Sequence, residues 1–278
     1  MTEGNALRVY ELPELRSSSL VVGWDEDVAK VGSRVIDYVR KKLGSREFAE
    51  IDLMDFFPLL GVEIDDDVAQ FPASKLYVCS ERDLVLFRSS LPRSEWYRFL
   101  ELVLDVAERC HVREVYTLGG VMSLSAHTSP REPLAVANSL EFREELSRYD
   151  LARGMDYETP PGQRPTLSSF LIWAAKRRNI MAAGLWVPAP FYLASTGDAQ
   201  AWKRALQFLD DRLALGIDFG DLEEEVRMQN ETIAQARARL PDIDGFISRL
   251  ESGLSLTQEE NEKLAGEISR LFRERRLR

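Results

Sequence analysis

The chain of 278 residues sets 36 basic against 46 acidic side chains, a formal net charge of −10 with both histidines neutral. Such a balance gives no global attraction to phosphate backbones or anionic lipid, which excludes nonspecific nucleic-acid binding. Hydrophobic residues at 45% and charged residues at 29% are globular values and exclude a mainly disordered chain, and two cysteines are too few for a disulfide framework.

The first twenty residues hold Glu3, Glu11 and Glu14 and no continuous apolar stretch, so no signal peptide is expected. Ser19 to Gly23 reads as a short buried strand, with Gly23 allowing a turn or a close backbone approach at its end. Val28, Val31, Val35 and Val39 recur at helical spacing, with Gly32 inside the pattern and Leu43-Gly44 as its stop. Phe48 to Leu53 is a second strand. Phe56-Phe57-Pro58 and the acidic Glu63 to Asp67 form an exposed excursion. Leu76–Cys79 and Leu84–Phe87 flank a polar turn as a hairpin. An amphipathic helix follows Pro92 and carries Trp96, Phe99, Leu100, Val103, Leu104 and Ala107. Val115 to Leu118 is a strand, Gly119 to Arg131 a loop, and Leu134 to Ala137 another strand.

The alternation continues with a helix through Leu167, Phe170, Leu171 and Ala174. A strand over Ile180 to Leu185 and a helix through Trp202, Leu206 and Leu213 follow. The longest apolar run, Ile180 to Ala194, is too short to span a bilayer and is interrupted by Pro188 and Pro190. The protein is therefore expected to be cytoplasmic, with no membrane partner. From Asp221 onward strand signals stop. Leu222 to Leu240 fits one helix ended by Pro241, Ile243 to Leu250 a short one, and Thr257 to Glu260 is a capping-box pattern opening a last one. The expected architecture is an α/β domain over 1–218, with a mostly parallel sheet and helices on both faces, followed by a helical appendage over 219–278.

Common catalytic machines are missing. The sequence has no phosphate loop ending in Gly-Lys-Ser/Thr, no Gly-x-Gly-x-x-Gly after the first strand, and no Gly-x-Ser-x-Gly elbow. Two histidines and two distant cysteines predict no metal site, and no cofactor is implied. The acidic run Asp65-Asp66-Asp67 reads as a solvated loop. Cys79 and Cys110 sit on apolar elements and read as buried, inert thiols.

The most informative stretch runs from Val115 through Gly119-Gly120-Val121 to His127-Thr128-Ser129-Pro130-Arg131. Gly119 and Gly120 place backbone amides at the carboxyl edge of a strand, where open α/β sheets bind ligands. Arg131 offers a fork for a carboxylate or phosphate, and His127 can donate, accept or titrate. Set against this is a plain tight turn with Arg131 paired to one of the many acids. Asn138 reaches the same edge if its strand is parallel, and Gly23 ends a neighbouring strand. Trp186, Phe191 and Tyr192 lie in a proline-interrupted run and are candidate interface residues, with core packing as the alternative.

These segments together resemble the proteasome assembly chaperone family, in its second-subunit type and bacterial branch. The resemblance rests on TLGGV, HTSPR and the Asn138-Ser139 pair. It continues through Pro161-Gly162 with Pro165-Thr166, GLWVPAPFYLAST and IDGFISRLES, and covers roughly 18–252. It implies a fold similar to nucleoside phosphorylases and peptidyl-tRNA hydrolase-like proteins, oligomerisation, and chaperone or proteasome-binding roles. Two positions depart from the family pattern. The chain ends Arg276-Leu277-Arg278 rather than in a hydrophobic residue, tyrosine and any residue, which argues against docking by the usual tail. Phe191 stands between Pro190 and Tyr192 where the family often has histidine.

The expectation is a non-catalytic homo-oligomer acting through protein surfaces on a protein client. The rival is an enzyme or small-molecule-binding protein in which Gly119 and Gly120 cradle an anion, Arg131 neutralises it and His127 serves as acid or base.

Overall fold

A computed structural model describes residues 6–52, 55–57, 63–65, 67–154 and 156–276. Glu3, Leu53, Pro58, Asp66, Leu277 and Arg278, which the sequence reading touches, lie outside the described residues. Inter-residue contacts divide the chain into two compact units. The first comprises Met1–Glu26, Gly32–Leu118 and Leu134–Leu185, and the second Asp27–Val31, Gly119–Pro133 and Trp186–Arg278.

The central strand β2 (Ser18–Trp24) is almost wholly buried, which is why its sequence is continuously apolar rather than alternating. It lies parallel to both β7 (Leu84–Ser89) and β8 (Val112–Ser123). Outward from β7 come β6 (Ser74–Cys79), β3 (Arg46–Ile51) and β1 (Leu7–Val9), each antiparallel to its neighbour. On the other side of β8 follow β10 (Met181–Pro190) and β9 (Leu134–Ala137), giving the order β1-β3-β6-β7-β2-β8-β10-β9. The sheet is mixed, and β3, β7, β2 and β8 run the same way. The predicted β6–β7 hairpin is present. The acidic excursion carries a small separate hairpin of β4 (Glu63–Asp65) and β5 (Val68–Gln70).

Helices cover both faces of the first unit's sheet. Leu20, Val22 and Trp24 of β2 share one apolar cluster with α2 (Trp96–Arg109) and α4 (Leu167–Arg177). The stripe Phe99, Leu100, Val103, Leu104 and Ala107 is buried as its spacing predicts, and each large side chain is worth about 1.5–3 kcal/mol. On the opposite face α1 (Val31–Lys42) approaches so closely that a Cβ on Gly23 would lie 2.4 Å from the carbonyl oxygen of Gly32 and 2.7 Å from Ile36. Gly23 and Gly32 are thus a matched pair that lets helix and strand touch backbone to backbone. The short helix α3 (Leu140–Leu146), capped by Ser139, was not legible in the sequence.

In the second unit, α5 (Ala199–Leu213) is followed by α6 (Gly220–Arg239), α7 (Pro241–Glu251) and α8 (Gln258–Arg276). Their apolar residues Ile233, Ala236, Ile243, Ile247, Leu250, Leu264 and Ile268 form one cluster with Ala126, Tyr192 and Leu193. The capping box opening α8 is reciprocal: Glu260 N–H donates to Thr257 Oγ1 at 3.3 Å and Thr257 N–H to Glu260 Oε2 at 2.7 Å.

Three expectations need correction. Val28 does not belong to the first helix, because Ala29 and Lys30 adopt φ of 57° and 55° and break the helical path before Val31. The strand expected to stop at Leu118 continues through Gly119 and Gly120 to Ser123, since neither glycine takes a positive φ. The strand expected to end at Leu185 runs on to Pro190, because proline's fixed φ is compatible with extended backbone even without an N–H.

Candidate functional site

The glycine pair on β8 is the natural starting point. A Cβ on Gly120 would sit 2.0 Å from the Val28 carbonyl oxygen, and one on Gly119 would sit 3.0 Å from the Trp186 ring. Both positions need glycine because something is packed directly against them. The Gly120 N–H is not open to an outside anion either, since it donates to Asp27 Oδ2 at 3.2 Å. The segment bringing Asp27 there is held in its left-handed conformation from two directions. Ala29 N–H donates to the Ala194 carbonyl at 2.7 Å, and the Trp202 indole N–H donates to the Ala29 carbonyl at 2.7 Å. The chain's own carboxylate thus stands where the sequence reading placed a ligand.

His127 and Arg131 are likewise engaged. The Tyr192 hydroxyl accepts the backbone N–H of His127 at 2.6 Å and lies 2.9 Å from its Nδ1. One phenolic oxygen thus meets both the backbone N–H and the ring Nδ1 of His127, the donor in the second bond being set by the imidazole tautomer. Burial, with Arg131 and Arg237 adding to it and Glu251 opposing it, lowers the His127 pKa to about 4. Burial also raises the Tyr192 phenol. At neutral pH the pair is an uncharged, mutually satisfied bridge.

The side chains of Arg131 and Asp198 are each only 1% exposed and pair at 2.8 Å through Nε and Oδ2. Three further guanidinium bonds go to carbonyls of its own loop: Ala126 at 3.5 Å, His127 at 3.1 Å, and Ser129. Asp198 Oδ1 caps α5 by accepting the Gln200 N–H. The loop is therefore folded around the guanidinium, and the guanidinium is anchored to a helix start. Thr128 donates to Glu251 Oε1 at 3.2 Å, and Arg237 holds the same carboxylate and Asp244 besides, so α6 and α7 clasp this loop.

The other predicted site residues do separate work. In the first unit Asn138 donates to the Ile180 carbonyl at 2.9 Å and accepts the Ala182 N–H at 3.1 Å, using its side-chain amide as a surrogate strand residue. Gly23 serves the contact with Gly32. In the second unit Tyr192 is buried, Phe191 packs against the helical cluster, and Trp186 is half-buried over Gly119. Of the three candidate interface rings, Tyr192 and Phe191 pack with the apolar residues of α6–α8, the core-packing alternative, while Trp186 lies outside that cluster. Asp27, Asp198 and Trp202 were missed as site partners. Only Asp198 carried a local signal, an aspartate directly before a helical pattern.

Among the described residues no cluster of three or more His, Cys, Asp or Glu is arranged to hold a metal ion, and no helix is long and apolar enough to cross a membrane. Both cysteines are buried and free, and burial pushes the Cys110 thiol up to about 11.

The family model described as the PAC2 family matches residues 20–237. No match was found among curated proteins. Among solved structures, a protein of unknown function from Mycobacterium tuberculosis is 20% identical with a TM-score of 0.78, over 91% of this chain and 90% of its own. A proteasome-assembly chaperone homologue from the same organism is 19% identical with a TM-score of 0.66, over 78% of this chain and 94% of its own. PbaA of Pyrococcus furiosus, an archaeal homologue of proteasome-assembly chaperone, is 17% identical with a TM-score of 0.66, over 90% and 99%. At such identities these likenesses speak for the fold. With the family model spanning most of the chain, the protein belongs to the PAC2 family.

Proposed function

We propose that the protein is an oligomeric, assembly-chaperone-like factor that acts on a protein client through its surfaces rather than through bond chemistry. The observation that carries this reading is the internal engagement of Gly120, His127 and Arg131, which would have served an anionic substrate. Gly120 gives its N–H to Asp27, the backbone N–H and Nδ1 of His127 both meet the Tyr192 hydroxyl, and Arg131 binds Asp198 and three carbonyls. A general acid–base needs a pKa near the working pH, and His127 is held well below it. Family membership and the likeness to proteasome-assembly chaperone homologues support a protein client and self-association.

Two measurements test this. Cross-linking of the tagged chain in its native cell, followed by reconstitution from purified components, should yield a saturable complex with a defined protein. A turnover assay against nucleosides, phosphate esters and peptides should show no enzyme-like rate. Turnover that disappears in His127→Asn while the fold is retained would replace this reading with the catalytic one.

A further inference from the structure

The first unit carries an aromatic cluster on α2 and α4 in which Trp96 and Phe170 are half-buried against the core and Tyr97 and Trp173 are exposed. Trp96, Tyr97, Phe170 and Trp173 meet edge to face, with ring centroids 5.8 Å apart for Trp96–Phe170, 5.4 Å for Tyr97–Phe170 and 6.0 Å for Tyr97–Trp173. Tyr97 is 58% and Trp173 45% exposed, and the Arg177 guanidinium lies 5.0 Å from the centre of the Trp173 ring. Scattered exposed rings are ordinary, whereas a gathered set of large rings is the composition of an interface centre.

The same unit carries a segment of complementary chemistry just before α4. Residues 156–165 are exposed apart from half-buried Thr159, and they include Pro160, Pro161 and Pro165. Pro161 and Gly162, the latter at φ 81°, form the centre of a turn closed by Gln163 N–H donating to the Pro160 carbonyl at 3.0 Å. Proline first and a positive-φ glycine second is the pattern of a type II turn. Three prolines and this closed turn hold the strap in few conformations, so docking it costs little ordering entropy. Tyr157, 71% exposed, adds a ring to it. Proline-rich segments dock on aromatic surfaces, where flat rings pack against pyrrolidine faces.

We infer that the strap of one copy of this chain docks on the Tyr97–Phe170–Trp173 rings of a second copy. Charge favours the same chain as occupant. The strap bears Asp156 and Glu158 before its turn and Arg164 after it. The ring surface bears exposed Lys176 and Arg177 one turn beyond Trp173 and exposed Glu95 on α2, while Glu101 of α2 is already paired with Arg178. A purely acidic or purely basic partner would match half of that surface, while the strap supplies both signs. In its own chain the strap is exposed and its one hydrogen bond, among the described residues, is internal.

The inference rests on the self-association proposed above and locates it, so the test separates the two. Sedimentation equilibrium over a concentration series is run on the full chain, on Tyr97→Ser/Trp173→Ser, and on Tyr157→Ser/Pro161→Ser. Circular dichroism checks that each variant keeps its fold, as exposed substitutions should. The wild-type chain is expected to exceed 31.7 kDa. Each variant is expected to self-associate roughly tenfold or more weakly, the loss of an anchor residue in an interface. A synthetic peptide of residues 156–166 should lower the wild-type mass. A wild-type mass of one chain overturns both self-association and this inference. A folded variant of either kind that keeps the wild-type mass overturns this inference alone and leaves an oligomer built through another face.

Discussion

Arg131 and Asp198 form a buried ion pair whose value lies in what happens when one member is removed. Arg131→Met leaves a carboxylate 1% exposed with no cation and strips three loop carbonyls of their donors. Chemical denaturation should show a loss of about 3–5 kcal/mol, and Arg131→Met/Asp198→Leu should recover part of it. His127 makes a second, pH-dependent statement. Its folded pKa is about 4 against an ordinary imidazole value of 6.5, so the unfolded chain binds the proton more readily between those values. Stability from this residue is complete above pH 6.5 and is lost as pH falls toward 4, by about 3 kcal/mol in total. In His127→Asn, whose side-chain amide can still hydrogen-bond the Tyr192 hydroxyl but does not titrate, that part of the slope should vanish. Paired denaturation series at pH 7 and pH 4.5 measure it.

At the scale of elements, the tail helices show where glycine is required and where it is dispensable. Gly120 faces a backbone carbonyl, whereas nothing lies within 4 Å of a Cβ built on Gly245 in α7 or Gly266 in α8. Neither of these two has a positive φ. Alanine at either should raise stability by about 0.5–1 kcal/mol, because it removes backbone freedom from the unfolded chain and improves helix propensity. Thermal melting of each single variant and the pair checks this, with near-additive gains expected for separate helices. The strands carry a related lesson. Gly119 and Gly120 look like a turn in the sequence, yet they keep β8 extended, and the close approach of Val28 and Trp186 accounts for both. Proline in β10 behaves alike, removing donors without ending the strand.

At the scale of the molecule, α6–α8 complete an apolar cluster that contains Ala126, Tyr192 and Leu193. A chain ending at residue 218 would leave those side chains without their partners. Its soluble yield should collapse, and any material recovered should bind an apolar dye that the full chain does not. Recovery of a folded, monomeric 1–218 fragment with native thermal cooperativity would show that the tail is an independent appendage.

The alternation of strands and helices, the buried stripe of α2, the β6–β7 hairpin, the capping box at Thr257 and the family motifs could all be read directly from the sequence. Each depends on periodicity or on residues within a few positions of one another, which the chain displays locally. The site was legible in its residue types and not in their partners. Asp27 and Gly120, His127 and Tyr192, and Arg131 and Asp198 are 93, 65 and 67 positions apart. Nothing local distinguishes an arginine free to meet a ligand from one folded into its own loop. That difference comes from desolvation: a buried guanidinium or imidazole must find partners inside the protein, and only the packed tertiary structure determines which groups are close enough to satisfy it.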